Sequence, residues 1–161
     1  MARTDEYISN PGLTEAMREV KEKDSRVTQS MVIRELLKAK LLIPVTYQAP
    51  EDSPMGSREQ QAKIQFHMIQ NSAKKRYFLA FTSMDELRKW RDKPEQRTAI
   101  LRFDDYAALV LDAGSGAEGI AIDPMGENLI MTREQVKLLR REKRIKEGGG
   151  IDLSAVYEMF Q

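Results

Sequence analysis

The chain has 161 residues, the size of one domain with a single core that buries about 70% of its extended surface. Its 41% hydrophobic and 32% charged content excludes a disordered tail and a membrane-embedded chain, and 26 basic against 25 acidic residues lack the excess of a general nucleic-acid binder. No cysteine and one histidine, His67, exclude disulfides, thiolate nucleophiles, cysteine-held zinc or iron–sulfur centres and multi-histidine metal sites, leaving carboxylate-held magnesium or calcium open.

The first nine residues are polar and read as a flexible N-terminus with no apolar signal region. Asn10-Pro11 reads as a helix start, Asn10 as cap and Pro11 at the first helical position, with Leu13, Ala16, Met17 and Val20 at helical spacing. Thr28 is the expected cap of a second helix carrying Val32, Ile33, Leu36 and Leu37. Leu41 to Tyr47 then reads as a buried strand, placed at a sheet edge or bulged because Pro44 has no N–H. Its apolar run, Leu41 to Val45, is far too short for a membrane span, so the expected location is the cytoplasm.

Residues 48–61 are rich in proline and polar groups and read as an exposed loop. Ile64, Phe66 and Met68 alternate as one strand, Asn71 to Arg76 turn, and Tyr77, Leu79 and Phe81 return as a hairpin. Ser83 and Glu86 form a capping-box pattern ahead of an apolar stripe of Met84, Leu87 and Trp90, and Lys93-Pro94 ends that helix. Ala99 to Leu101 reads as a short strand, and Asp104 or Asp105 as the cap of a helix carrying Tyr106, Ala107, Leu109 and Val110. The loop Gly114–Gly119 leads into a strand at Ile120 and Ile122, which turns at 123–128 and returns through Leu129 to Met131. A second capping box, Thr132 with Gln135, opens a last long helix with Val136 and Leu139 on its inner face. Residues 148–161 read as a Gly-Gly-Gly linker and a short amphipathic helix with Leu153, Val156, Tyr157 and Phe160 on one face. The interleaved order of helices and strands predicts an α+β fold: one domain over 10–147, a mixed, mostly antiparallel sheet with helices packed against it.

Four runs resemble the SseB, or enhanced serine sensitivity, family in its N-terminal domain. They are Asn10-Pro11-x-Leu13, Leu37-x-Ala39-x-Leu41-x-x-Pro44-Val45, Phe81-Thr82-Ser83-x-x-Glu86-Leu87-x-x-Trp90, and Gly119-Ile120-x-Ile122-x-Pro124-x-Gly126-x-x-Leu129. Gln135 and Leu139 extend the likeness, which covers about residues 10–140. The resemblance implies a bacterial cytoplasmic α+β domain and carries no catalytic residue over.

Several motifs invite sharper readings. Thr82 and Ser83 precede a helix and read either as an anion or ligand site or as a capped helix with Phe81 and Trp90 in the core; capping and aromatic packing explain them completely. Gly114-x-Gly116-x-x-Gly119 spells a dinucleotide fingerprint, but between helix and strand, the reverse of the order that chemistry needs. Asp104, Asp105, Asp112, Glu118 and Asp123 form an acidic cluster in sequence, read as caps and loop acids before a metal or acid–base site. His67 reads as a solvent-facing strand residue, and the basic last helix (Arg133, Lys137, Arg140, Arg141, Lys143, Arg144, Lys146) as a solvated face.

The tail stripe reads either as docking on its own domain or as a contact for a partner, a second protein or another copy of the chain, and it is the feature that points to a partner. The leading expectation is a protein-binding or adaptor module with no catalytic residue, metal, cofactor or membrane contact. A small-molecule sensor or enzyme of amino-acid metabolism is the alternative, and an RNA-binding protein is third.

Overall fold

The computed structural model describes residues 7–48 and 63–147. In chain order it has α1 (Pro11–Glu22), α2 (Arg26–Lys38), β1 (Leu41–Gln48), β2 (Lys63–Phe66), β3 (Met68–Gln70), β4 (Arg76–Ala80), α3 (Met84–Trp90), β5 (Arg97–Leu101), α4 (Phe103–Leu111), β6 (Gly119–Ile122), β7 (Leu129–Thr132) and α5 (Arg133–Glu147). Among the described residues the strands form two sheets, an antiparallel β2-β1-β5 and a mixed β3-β4-β6-β7 in which only β4 and β6 run parallel. The domain is α+β, as the element order predicts.

Strand alternation sets the layers. Successive side chains of a strand point to opposite faces. Leu41, Ile43 and Val45 of β1, with Phe78 and Ala80 of β4 and Ile120 and Ile122 of β6, enter the main core. There they meet Leu13 and Met17 of α1, Ile33 and Leu36 of α2, Phe103 and Tyr106 of α4, and Val136 and Leu139 of α5. The intervening Leu42, Leu79 and Phe81 face the other way and pack with Ile8 and with Leu87 of α3. Each fully buried side chain of this size contributes about 1.5–3 kcal/mol, so both faces are fixed in register.

Pro44 lies in the middle of its sheet, not at an edge, because β1 pairs on both sides. The missing N–H is accommodated by splitting the neighbouring strand. The His67 N–H donates to the Pro44 carbonyl at 3.0 Å, but the His67 carbonyl meets no proline donor and instead accepts Leu79 N–H of β4 at 3.2 Å. The single strand expected over Ile64 to Met68 is therefore two, β2 on β1 and β3 on β4, changing sheets at His67. The expected hairpin with β4 is formed by β3. Leu42 and Phe81 close the seam by exchanging both backbone bonds, 2.9 and 2.8 Å.

Three helix starts differ from expectation. Asn10 makes no side-chain cap; its Nδ2 donates to the Lys40 and Thr82 carbonyls, both at 2.9 Å, tying α1 to β1 and to the end of β4. Ser25, not Thr28, caps α2, with Thr28 returning the bond to Ser25 N–H. α4 begins at Phe103, so Asp105 lies inside its first turn and accepts the Arg102 N–H at 2.9 Å, while Asp104 pairs with Lys143. The Thr132–Gln135 box of α5 forms in both directions.

Candidate functional site

A groove of about 440 Å³ opens where β5 starts against the far half of β1. Its floor is Val45, Thr46 and Tyr47, and its wall is the turn from Arg91 to Arg97. That turn is built around Gln96. Its N–H donates to the Lys93 carbonyl at 3.0 Å, and its Nε2 donates to the carbonyls of Val45 (3.2 Å) and Arg97 (2.9 Å). Its Oε1 accepts Arg91 Nη1 at 3.0 Å. One carboxamide thus fastens the turn to the strand and a guanidinium to the turn.

Three cations line the groove, Arg91, Lys93 and Arg97, against one carboxylate, Glu95. Both arginines lie over aromatic rings. The Arg91 guanidinium carbon is 4.3 Å from the Trp90 ring centre, and that of Arg97 is 5.1 Å from that of Tyr47. Such stacking is worth about 0.5–1 kcal/mol at exposed sites and limits where the planar fork points. Trp90 is anchored in turn by Phe81, 6.0 Å between ring centres, and by an edge-on contact with His67 at 5.8 Å.

His67 is half-buried, at the point where the chain passes from β2 in one sheet to β3 in the other. Its Nε2 is hydrogen-bonded to Thr46 Oγ1 at 2.6 Å, the donor being set by the ring tautomer. Burial holds the imidazole below its ordinary pKa, and the Arg91 charge adds to the effect.

The other sequence candidates fall elsewhere. Thr82 is buried, and Asp123 takes both of its donors: the N–H at 2.9 Å and the hydroxyl at 2.7 Å. Ser83 caps α3 through Glu86 N–H at 3.3 Å. The reciprocal half of that box is not made, since the Glu86 carboxylate pairs with Lys89. The acidic cluster is dispersed: Asp104 goes to Lys143, Asp105 to the start of α4 and Asp123 to the core. Among the described residues no group of three or more His, Asp or Glu side chains could hold a metal, and no helix is long and apolar enough to cross a membrane. Gly114–Gly119 runs from α4 into β6 as expected. On α5, Arg133 is half-buried rather than part of a fully solvated face; it donates to the Val110 carbonyl in the last turn of α4 and to the Ala117 carbonyl just before β6. Leu153, Val156, Tyr157 and Phe160 lie outside the described residues, as do Gly148–Gly150 and nearly all of the 48–61 loop.

With this arrangement in place, comparison with known families is decisive: the SseB protein N-terminal domain matches residues 13–137. The chain belongs to that family. Neither a curated protein nor a solved structure matches it. The matched span of the SseB domain runs from α1 into α5 and contains every groove-lining residue. Sequence reading placed Trp90 on an apolar helix stripe and singled out neither Gln96 nor the stacked arginines. The only signal was Lys93-Pro94, which marks a turn without saying what the turn holds.

Proposed function

We propose that this SseB N-terminal domain is a protein-binding module without catalytic chemistry, and that the groove between β1 and the 91–97 turn is its receptor surface. The observation that carries the reading is the pair of arginines held on Trp90 and Tyr47 at an open rim. Arginine and aromatic side chains dominate the energetics of protein interfaces, and pre-ordered ones lose less entropy on binding. Cations outnumber carboxylates three to one in the groove lining, which suits it to holding an anionic partner surface. The apolar stripe Leu153, Val156, Tyr157 and Phe160 is a second contact in this proposal, for a partner or for another copy of the chain.

Affinity capture from a cell lysate tests it with three proteins: the full chain, its R91E/R97E variant and a chain ending at Lys146. The full chain captures a defined set of proteins, and R91E/R97E loses them. Retention of the whole set by R91E/R97E removes the groove from the proposal. Loss on shortening the chain assigns part of the contact to the tail.

A further inference from the structure

We infer that the groove receives an acidic, extended peptide segment, with Arg91 and Arg97 clamping carboxylates and Gln96 acting as the residue that positions them. This rests on the protein-binding reading and names its ligand class.

Charge comes first. Three cations and one carboxylate leave the groove locally basic on a chain whose overall charge is only +1. The attraction is therefore short-range and belongs to this rim. A guanidinium fork matches a carboxylate through two parallel N–H···O bonds, and here each fork is already held against a ring.

Shape comes second. Thr46, Lys93, Glu95 and Arg97, four of the eight lining residues, are exposed. A small anion would stay wetted there, whereas small-molecule sites bury about 70–90% of their ligand. A chain lying across the rim reaches both arginines and leaves at either end.

The aromatic rings argue against nucleic acid. Single strands bind by stacking bases on open ring faces, and here guanidiniums cover Trp90 and Tyr47. Glu95 also opposes a ligand with a phosphate at every residue.

Gln96 makes the arrangement specific. Its Oε1 accepts from Arg91 while its Nε2 holds the turn on the Val45 carbonyl. Truncating it releases Arg91 and loosens the wall without removing a charge, so a change in binding reports position rather than electrostatics.

The test is fluorescence anisotropy of a labelled Glu-rich decapeptide with the full chain at low salt. Lys-rich decapeptide, oligouridine and inorganic phosphate serve as competitors. The Glu-rich peptide binds, and its affinity falls with added salt. R97E weakens it by roughly tenfold, as expected for loss of a charge-assisted pair. Q96A weakens it by about threefold with the net charge unchanged. K137E/R141E, on the exposed face of α5, leaves it unchanged. Unaltered melting temperatures show that each variant is folded. Absence of peptide binding, equal binding by R97E, or displacement by oligouridine or phosphate at lower concentration than by unlabelled peptide overturns the inference. If R91E/R97E loses its lysate partners while no acidic peptide binds, only the ligand class falls. If those partners are also unaffected, the groove reading falls with it.

Discussion

The carboxylate of Asp123 accepts both the backbone N–H and the hydroxyl of Thr82, at 2.9 and 2.7 Å, with both residues buried. This double bond to one residue ties the turn after β6 to the end of β4, just where the chain enters α3. Asp123 also holds a left-handed backbone, φ 48°, and its carbonyl accepts Gly126 and Asn128 N–H groups. Its replacement by Ala leaves two buried donors unpaired in a conformation that Ala disfavours. D123A is expected to lower unfolding free energy by about 2–4 kcal/mol, and D123N by less, since Asn tolerates that backbone and keeps an acceptor. Urea denaturation measures both.

The same carboxyl predicts a pH dependence. Burial raises its pKa, Thr82's hydrogen bonds oppose the rise, and nearby Glu86 adds to it. The folded chain therefore holds this proton more tightly than the unfolded chain. Between the ordinary carboxyl value, about 3.9, and the raised folded value, stability falls as pH rises. Relative to D123N, the native protein gains stability on acidification through that window. A native-minus-D123N difference that is flat or opposite in slope would contradict this.

His67 acts in the other direction and at higher pH. Its folded pKa is lowered, first by burial and then by Arg91. Protons then bind the unfolded chain better, so stability is present above about pH 6.5 and is lost as pH falls through the folded value. H67Q, which retains a partner for Thr46, should flatten this loss while leaving the Asp123 window intact. Thermal unfolding from about pH 7.5 down to about 3.5 covers both windows and separates the two.

Two glycines with tight surroundings should respond very differently to alanine. A Cβ on Gly119 would fall 1.9 Å from the Met131 carbonyl oxygen, backbone of the paired strand that cannot retreat without breaking β6–β7. G119A is expected to cost roughly 3–5 kcal/mol or to prevent folding. A Cβ on Gly126 would fall 2.1 Å from Glu86 Oε1, the far end of a flexible side chain already paired with Lys89. Since that carboxylate can swing away, G126A is expected to cost about 1 kcal/mol or less. Soluble yield and denaturation midpoint read out both.

Asn10 tests the junction of α1 with the sheets. N10A removes donors from the Lys40 and Thr82 carbonyls and should cost about 1–3 kcal/mol. N10D should cost more, because a carboxylate would face two carbonyl oxygens. A loss in N10A no larger than that of an ordinary helix cap, with N10D equal to it, would return Asn10 to a local role.

Much of this architecture was legible in the sequence because it is set by neighbours along the chain. The periods of Leu13, Ala16, Met17 and of Leu41, Ile43, Val45 dictate helix and strand, and Thr132 with Gln135 is a bond between residues three apart. The likeness to SseB also lay in such short runs, and the match over residues 13–137 agrees with it. What the tertiary structure decided are partnerships across large sequence distances. Asn10 reads as a cap until the Lys40 and Thr82 carbonyls stand opposite its amide. Pro44 reads as an edge residue until His67 divides its two backbone bonds between two sheets. The groove is assembled where Gln96 reaches Val45, 51 positions away, and accepts from Arg91, while Arg91 and Arg97 lie against rings from α3 and β1. A polar side chain takes its hydrogen-bond partner from whatever folding brings within about 3 Å, and local pattern contains no record of that choice.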